Sequence, residues 1–532
     1  MSLKYLLSNH RKFIQAGVSS FLLLLSFPPF NLWPVAFIAF VPFFFFLSKS
    51  NRREIFFFSY CAGIIFFGGS IYWISHVNLF GCIFLISFYA FFWALFGLVG
   101  NIILTYRGTT CRALTIGNMV SSSFGLACLW VTLELLRSDI PVFGFAWVIL
   151  GFSQTYNLPF IQCANIIGAY GVSFFIIFIN TLIYFSLKTF TYSKRIFLTC
   201  LLGIMLVFVI LYSYGFIQLG QHPSGVSLKV GIIQGNIEQK DKWNPDLKDT
   251  IIEKYSKLIE FISYDAPDII ILPEACYPGN FERELSTSIW RETIQKKGIP
   301  IVLGAVRSET FDRGYNSSFF ISPEGVITDH YDKIELVPFG EYIPWEPFFS
   351  FFGLTKVAYS LGVSNFQHGN DYTVFTFNLK ARGDVSFATL ICFEDIFPAL
   401  ARRFMAQGAQ FLIVITNDAW FGDTAAPYQH LQASVFRAIE NNCYVVRSAN
   451  TGVSAFISPR GKVLNTVYDK FGNELFVTGG ISRDLFISSS PTIYRKIGYI
   501  FVYLCLLFSI GYVVFLLYLS PNLFKLNKLY NK

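Results

Sequence analysis

SFATLICFEDIFP, from Ser386 to Pro398, decides how this chain reads. Residues 386–391 have the composition of a buried strand, Cys392 ends it, and Phe393, Glu394 and Asp395 lead into a helix starting near Phe397. A thiol at such a hinge feels the positive end of the helix beyond it, which favours thiolate. Free cysteine is also among the most buried residue types, so taken alone Cys392 reads first as a packing group.

Outward from that hinge, short β-rich runs alternate with helical ones. SLKVGIIQ (227–234), DIIILPE (268–274) and PIVLGAV (300–306) read as strands, as do 316–322, 372–378, 384–391, 411–416 and 443–448. Helices are expected over 246–263, 283–297, 397–407 and 427–441. This alternation predicts an α/β domain with strands covered on both faces and reactive groups at strand ends. Three ends stand out: ILPEACYPG with Glu274, HYDKIELVPFGEYIP with Lys333 and Glu341, and TLICFED with Cys392.

Glu274 follows an Ile/Leu run and Pro273, where burial would raise its pKa toward that of a working base; it reads equally as a surface acid. Lys333 is either a surface lysine or a buried ammonium that steadies an oxyanion. No spacing rule links 274, 333 and 392. The domain has three cysteines, Cys276, Cys392 and Cys443, an odd number that leaves a thiol free whatever the pairing. Cys443 reads as core. Asn417, Asp418 and Trp420 follow a strand and read as structural support.

The rest of the chain is different. With 54% hydrophobic, 19% aromatic and 14% charged residues, it departs from the soluble average of about 25% charged and has the composition of a membrane protein. The window 220–490 holds 24 of the 41 basic residues and 30 of the 33 acids. Outside it stand 17 basic residues and three acids, Glu54, Glu134 and Asp139. Apolar runs long enough to span a bilayer are expected near 13–29, 32–48, 55–74, 79–104, 113–135, 163–186, 196–217 and 497–519, about eight transmembrane helices. Pro28 and Pro29 interrupt the first two, leaving either two short spans or a re-entrant pair.

Basic residues mark cytoplasmic loops. Lys4, Arg11, Lys12, Lys49, Arg52, Arg53, Arg107, Arg112, Lys188, Lys194, Arg195, Lys525, Lys528 and Lys532 share one side if eight spans exist; Arg137, Arg495 and Lys496 take the other. Both termini are then cytoplasmic and residues 218–492 extracytoplasmic. The first thirty residues have the charge and apolarity of a signal sequence without a small-residue cleavage site, so an uncleaved anchor is expected. The expected domains are 1–217 with seven spans, 218–492, and 493–532 with the last span and a tail.

The set E-A-C-Y-P, Y-D-K-I-E-L-V-P-F-G-E-Y-I-P, I-C-F-E-D and N-D-A-W-F-G-D, with P-Y-Q-H-L-Q, R-A-I-E and R-S-A-N-T-G-V-S-A, resembles the carbon–nitrogen hydrolase (nitrilase) superfamily. Together with the spans, E-L-L-R at 134–137 and G-A-Y-G-V-S-F from Gly168, the chain is similar to the bacterial apolipoprotein N-acyltransferase family. The resemblance implies a nitrilase-like αββα sandwich beside the membrane helices. It assigns the base to Glu274, the lysine to Lys333, the nucleophile to Cys392, and supporting or substrate-binding roles to Glu341, Glu394, Trp243 and Phe393. Phe393 departs from the tyrosine common after the nucleophile, keeping the ring and losing the hydroxyl.

The implied reaction is acyl transfer from a membrane phospholipid, through a Cys392 thioester, to the α-amine of a diacylglyceryl-cysteine apolipoprotein, with ping-pong kinetics. The implied place is the bacterial inner membrane, with the catalytic domain on the periplasmic face, and a monomer is expected. The competing readings are a membrane-tethered amidase, which would send water to the thioester, and a transporter with a sensor domain. One anchor suffices for the former; the scarcity of charge within the spans speaks against the latter. The six histidines lack metal spacing, and no HExxH, Walker or GxGxxG pattern sits in a fitting context, so no metal, cofactor or nucleic acid is expected. The nearly uncharged aromatic stretch IPWEPFFSFFGL from Ile343 reads as a buried loop or as a mobile lid at the bilayer interface.

Overall fold

The structure is a computed structural model and describes residues 3–105, 115–191, 193–221, 224–310, 313–351, 353, 355–356, 359, 363–379, 382–487 and 490–519. The chain forms two compact units, one of Met1–Gly220 with Ile497–Lys532, the other of Gln221–Lys496.

The first unit is helical: α1 (Leu3–Leu25), α2 (Val41–Leu47), α3 (Arg52–Ser70), α4 (Leu79–Thr105), α5 (Ile116–Asp139), α6 (Leu158–Ile161), α7 (Ala164–Thr189) and α8 (Lys194–Leu219). Among the described residues, five helices are long and apolar enough to cross a membrane: α4, α5, α7, α8 and the terminal helix at Ile500–Tyr518. The stretch expected as one span over 32–48 is a short 3-10 turn, Trp33–Phe37, followed by the 7-residue α2. Pro34 and Pro42 each sit in a first turn, where a missing N–H costs little but helix cannot continue upstream. The basic loop with Arg107 and Arg112, and the tail with Lys525, Lys528 and Lys532, lie outside the described residues.

Inside this unit the ELLR segment folds the chain back on α5. Arg137 donates to the carbonyls of Phe145 and Trp147, both at 2.9 Å, and Glu134 Oε1 accepts from Leu150 N at 2.7 Å. Gly168 breaks the start of α7 with a φ of 71°, a conformation that a Cβ would oppose.

The second unit is built on two six-stranded sheets. The first has the order β12-β1-β2-β3-β4-β5 and the second β11-β10-β9-β8-β7-β6. In chain order the strands are β1 (Val226–Gln234), β2 (Ile269–Ile271), β3 (Ile301–Thr310), β4 (Arg313–Ile321), β5 (Ile327–Asp332), β6 (Phe375–Leu379), β7 (Gly383–Ile391), β8 (Phe411–Thr416), β9 (Val445–Ala449), β10 (Ala455–Ile457), β11 (Val463–Thr466) and β12 (Gly479–Ile487). Each sheet has a parallel centre, β1-β2-β3 and β7-β8-β9, flanked by antiparallel strands. Between them run α9 (Lys248–Ser263), α10 (Ser288–Lys297), α11 (Glu346–Phe351), α12 (Pro398–Ala406) and α13 (Ala426–Asn441), followed by α14 (Ile493–Ile497) and, back in the helical unit, α15 (Ile500–Leu519).

The sheets face each other: Ser448 Oγ of β9 donates to Ile233 O of β1 at 2.8 Å, and Ser318 of β4 meets Thr389 of β7 at 3.2 Å. On the outside of the first sheet, Ile251, Ile252, Tyr255, Ile259 and Ile262 form the apolar stripe of α9 and join Trp290 and Ile294 of α10 against Ile270, Leu303 and Phe319. Helices α12 and α13 cover the second sheet through β7 and β9. The outcome is four layers, which is why FLIVIT in β8 is apolar on both faces.

Candidate active site

Cys392 follows β7 directly, and its φ of 52° lies in the left-handed region. A residue with a Cβ held there costs on the order of 1 kcal/mol, so the surroundings must fix it. Glu394 does part of that: its Oε2 accepts from Ile391 N at 2.8 Å, and its Oε1 accepts from Tyr331 Oη and Ile334 N, both at 2.7 Å, and from Glu335 N at 3.1 Å. The turn at Cys392 is thereby fastened to the residues that follow Lys333.

Lys333 comes directly after β5 and is 1% exposed. Its Nζ lies 2.8 Å from Glu341 Oε2 and 3.9 Å from Glu274 Oε1. Burial works against the ammonium, but Glu341 and then Glu274 outweigh it and hold the group above the usual lysine range. Glu274 is buried three residues beyond β2. A Cβ on Gly304 of β3 would sit 2.6 Å from Glu274 Cα, so the strand end approaches its neighbour as only glycine permits. Asn316 of β4 spaces the two acids, donating from Nδ2 to Glu274 Oε1 at 2.7 Å and to Glu341 Oε1 at 2.9 Å.

Burial first, and the Glu274 charge second, push the Cys392 thiol above its ordinary value; Lys333 and a hydrogen bond with Thr416 oppose them. The thiolate expected from the helix beyond is therefore not the resting form. Cys392 opens only a 3-10 turn, Cys392–Ile396, and α12 begins six residues later, too far for its dipole to offset burial. A neutral thiol beside a carboxylate and an ammonium suits proton transfer at the moment of attack.

The sequence profile of the apolipoprotein N-acyltransferase N-terminal domain matches residues 19–182, and that of carbon-nitrogen hydrolase matches residues 229–483. A Geobacter metallireducens protein named apolipoprotein N-acyltransferase is 32% identical over 511 residues, 93% of either chain. The chain belongs to the apolipoprotein N-acyltransferase family. A Rickettsia bellii protein of the same name is 31% identical over 464 residues, 84% of this chain and 86% of that one. Among solved structures, an amidase from a Nesterenkonia species aligns over 52% of this chain and 95% of its own, with 17% identity and a TM-score of 0.37.

In this family member the cluster holds Glu274, Lys333, Glu341 and Cys392 together, with Glu394 beneath. Trp243 is 47% exposed on the segment after β1; its neighbour Lys242, 2% exposed, is what reaches inward, donating to Glu274 O at 3.2 Å. Burial brings the Lys242 ammonium down to about 8, against the charges of Glu274, Cys276 and Cys392. Phe393 is buried, its ring edge-on to Phe397 with centroids 5.0 Å apart. Of the aromatic stretch from Ile343, Trp345, Phe348 and Phe351 are exposed, while Phe352 and Leu354 lie outside the described residues.

Sequence reasoning missed Asn316, Lys242 and a buried set formed by Asp395, His430 and Arg447 with Asp418. Arg447 had left a signal, since a charge inside VVRSA, an otherwise apolar strand buried at every position, needs partners there. Among the described residues no three or more His, Cys, Asp and Glu side chains are grouped to hold a metal ion, and every cysteine is a free thiol.

Proposed function

We propose that the chain moves an acyl chain from a membrane phospholipid to the α-amine of a diacylglyceryl-cysteine apolipoprotein. The observation that carries this reading is one buried cluster in which Glu274 and Lys333 both act electrostatically on the Cys392 thiol, in a member of the N-acyltransferase family. Glu274 takes the thiol proton as sulfur adds to the ester carbonyl, and Lys333 steadies the oxyanion. The ester C–O bond breaks, the leaving alkoxide takes the proton from Glu274, and lysophospholipid departs. The lipoprotein amine then adds to the thioester carbonyl, its proton passes through Glu274 to the sulfur, and the amide leaves. Two substrates meeting one sulfur in turn give ping-pong kinetics.

Acyl chains cost about 0.8 kcal/mol per CH₂ to move into water, which supports a site at the bilayer surface. The proposed organisation is eight spans, with 218–492 on the periplasmic face of the inner membrane, both termini cytoplasmic, and a monomer as the working unit. The exposed rings of Trp345, Phe348 and Phe351 support a lid dipping into the interface. Trp243 and Phe393 are proposed to contact substrate.

Mass spectrometry of the purified protein after incubation with phospholipid alone tests the reading. An acyl adduct on Cys392, absent in Cys392→Ala, is expected, together with peptide acylation once a diacylated lipopeptide is added. Release of fatty acid without any acylated peptide would instead favour hydrolysis, and an unmodified Cys392 would end the proposal.

A further inference from the structure

Below the nucleophile's turn lies a set of charges that the reaction scheme leaves unused. His430 of α13 is 1% exposed, and its Nε2 donates to the main-chain carbonyl of Cys392 at 3.1 Å and lies 2.8 Å from Asp395 Oδ1. Its Nδ1 lies 2.9 Å from Asp418 Oδ1. Arg447 of β9 reaches across both acids, with Nη1 2.9 Å from Asp395 Oδ2 and Nη2 3.0 Å from Asp418 Oδ2. Asp395, Asp418 and Arg447 are each at most 1% exposed.

We propose that His430 is a positioning residue, held as an imidazolium, that fixes the left-handed peptide of Cys392 through its carbonyl and cancels the charge of Asp418 at the sulfur. This rests on the reading of Cys392 as nucleophile.

Acceptors surround the ring on both sides: Asp418 faces one nitrogen, Asp395 and the Cys392 carbonyl the other. That arrangement asks for N–H at both positions. Arg447 Nη2 also comes within 2.7 Å of Nδ1, a contact that suits a bare nitrogen, but its N–H has Asp418 Oδ2 to serve. Charge decides between the two. Asp395 and Asp418 against Arg447 alone leave one uncompensated negative charge far from water, a costly state that a protonated ring removes.

The remaining groups on these elements do not alter the count. Arg437 and Glu440 of α13 pair with each other at 2.9 Å, Ser434 donates to Asp395 at 2.5 Å, and Thr416 donates to Asp418 at 2.9 Å. Burial and Arg447 act against the ring's charge; Asp395 and Asp418 outweigh them and place it at about 9. The Asp418 charge raises the Cys392 thiol, so a cation between Asp418 and the nucleophile's backbone eases attack as well as fixing geometry.

Two measurements on the full-length protein in detergent test this. Histidine-selective ¹⁵N NMR should show one ring protonated on both nitrogens at pH 7, absent in His430→Gln and titrating only near pH 9. Acyl-thioester formation from phosphatidylethanolamine–phosphatidylglycerol micelles should slow about 100-fold in His430→Gln at unchanged KM, the size expected of a displaced nucleophile. His430→Gln combined with Asp418→Asn should recover about tenfold, because balance returns; a merely structural role would add a second loss. A neutral ring at pH 7, an unimpaired His430→Gln, or a double variant no faster than the single one overturns the proposal. If the wild type forms no thioester, the functional reading fails, while the NMR still decides the state of the ring.

Discussion

Glu394 accepts a hydrogen bond from the main-chain amide of Ile334 at 2.7 Å, so the residue two after Cys392 sets where the residue one after Lys333 lies. Four donors converge on this carboxyl, three on Oε1 and Ile391 N on Oε2. In Glu394→Gln the amide NH₂ would have to face at least one of them, at about 1–3 kcal/mol for the lost acceptor. Single-turnover acylation should slow about tenfold or more with KM for phospholipid held. Burial pushes the wild-type carboxyl up to about 7, so acidification through that value should bring a similar slowing as an acceptor becomes a donor. A Gln variant at full rate would show that Lys333 is held by other means.

Asn316 has a comparable role between Glu274 and Glu341, and its two N–H groups separate carboxylates that Lys333 alone would draw together. Asn316→Leu should lower the acylation rate about 100-fold, the scale of a misplaced catalytic group. Asn316→Asp should be worse still, since a third carboxylate replaces the donor. The order of the two variants is the check: a milder Asp variant would mean that polarity, and not donation, matters at this position.

How much of this was legible beforehand follows from which forces are local. The run before Cys392 and the hinge after it read correctly because burial on both faces and the start of a helix are written in consecutive residues. The strand at 327–332 was placed only by its end at Lys333 and given no range: TDHYD has exposed polar residues, and only its pairing with β4 makes it a strand. The strand 455–457 and the edge strand 463–466 beside it are too short to show a period. In the helical unit the stretch 32–48 reads as one apolar run, yet its prolines divide it. At the site, Glu274, Lys333 and Cys392 were singled out by their places at strand ends, and the resemblance linked them. Asn316 and Lys242 were not, since an amide inside a strand and a lysine in a loop signal nothing until tertiary contacts bury them.

Asp418 and His430 make a prediction about stability. Burial raises the Asp418 carboxyl, but His430 and Arg447 outweigh it and hold the group at about 2, below its ordinary 3.8. Its contribution is present above pH 3.8 and is lost as pH falls through 2. The His430 ring, raised from 6.5 to about 9, contributes fully below 6.5 and loses that contribution as pH rises through 9. The first contribution is about 2 kcal/mol and the second about 3, so what this pair adds to the thermal midpoint of the second unit should be constant between about pH 4 and 6.5 and fall on either side. His430→Gln should abolish the alkaline slope, and a variant that keeps it would place the responsible proton elsewhere.

Lys242 separates stability from activity. Its ammonium is buried, its ordinary value of 10.5 is brought down to about 8, and it donates to the carbonyl of Glu274 at 3.2 Å. A depressed lysine value means that folding disfavours the charged form: the penalty is absent above pH 10.5, grows as pH falls toward 8 and is full below it. At pH 7 it amounts to about 3 kcal/mol. Lys242→Met keeps the length and apolar stem and removes the charge, so after about 1 kcal/mol for the lost hydrogen bond it should raise the thermal midpoint at pH 7. The same change takes a positive charge from the neighbourhood of Cys392, which should raise the thiol further. Alkylation by iodoacetamide between pH 6 and 9 should therefore be slower in Lys242→Met than in the wild type, and acylation slower with it. A more stable but slower enzyme is the expected signature of a cation kept for chemistry at a cost in folding. A variant that is less stable and equally fast would make Lys242 a structural tie to the Glu274 strand end and nothing more.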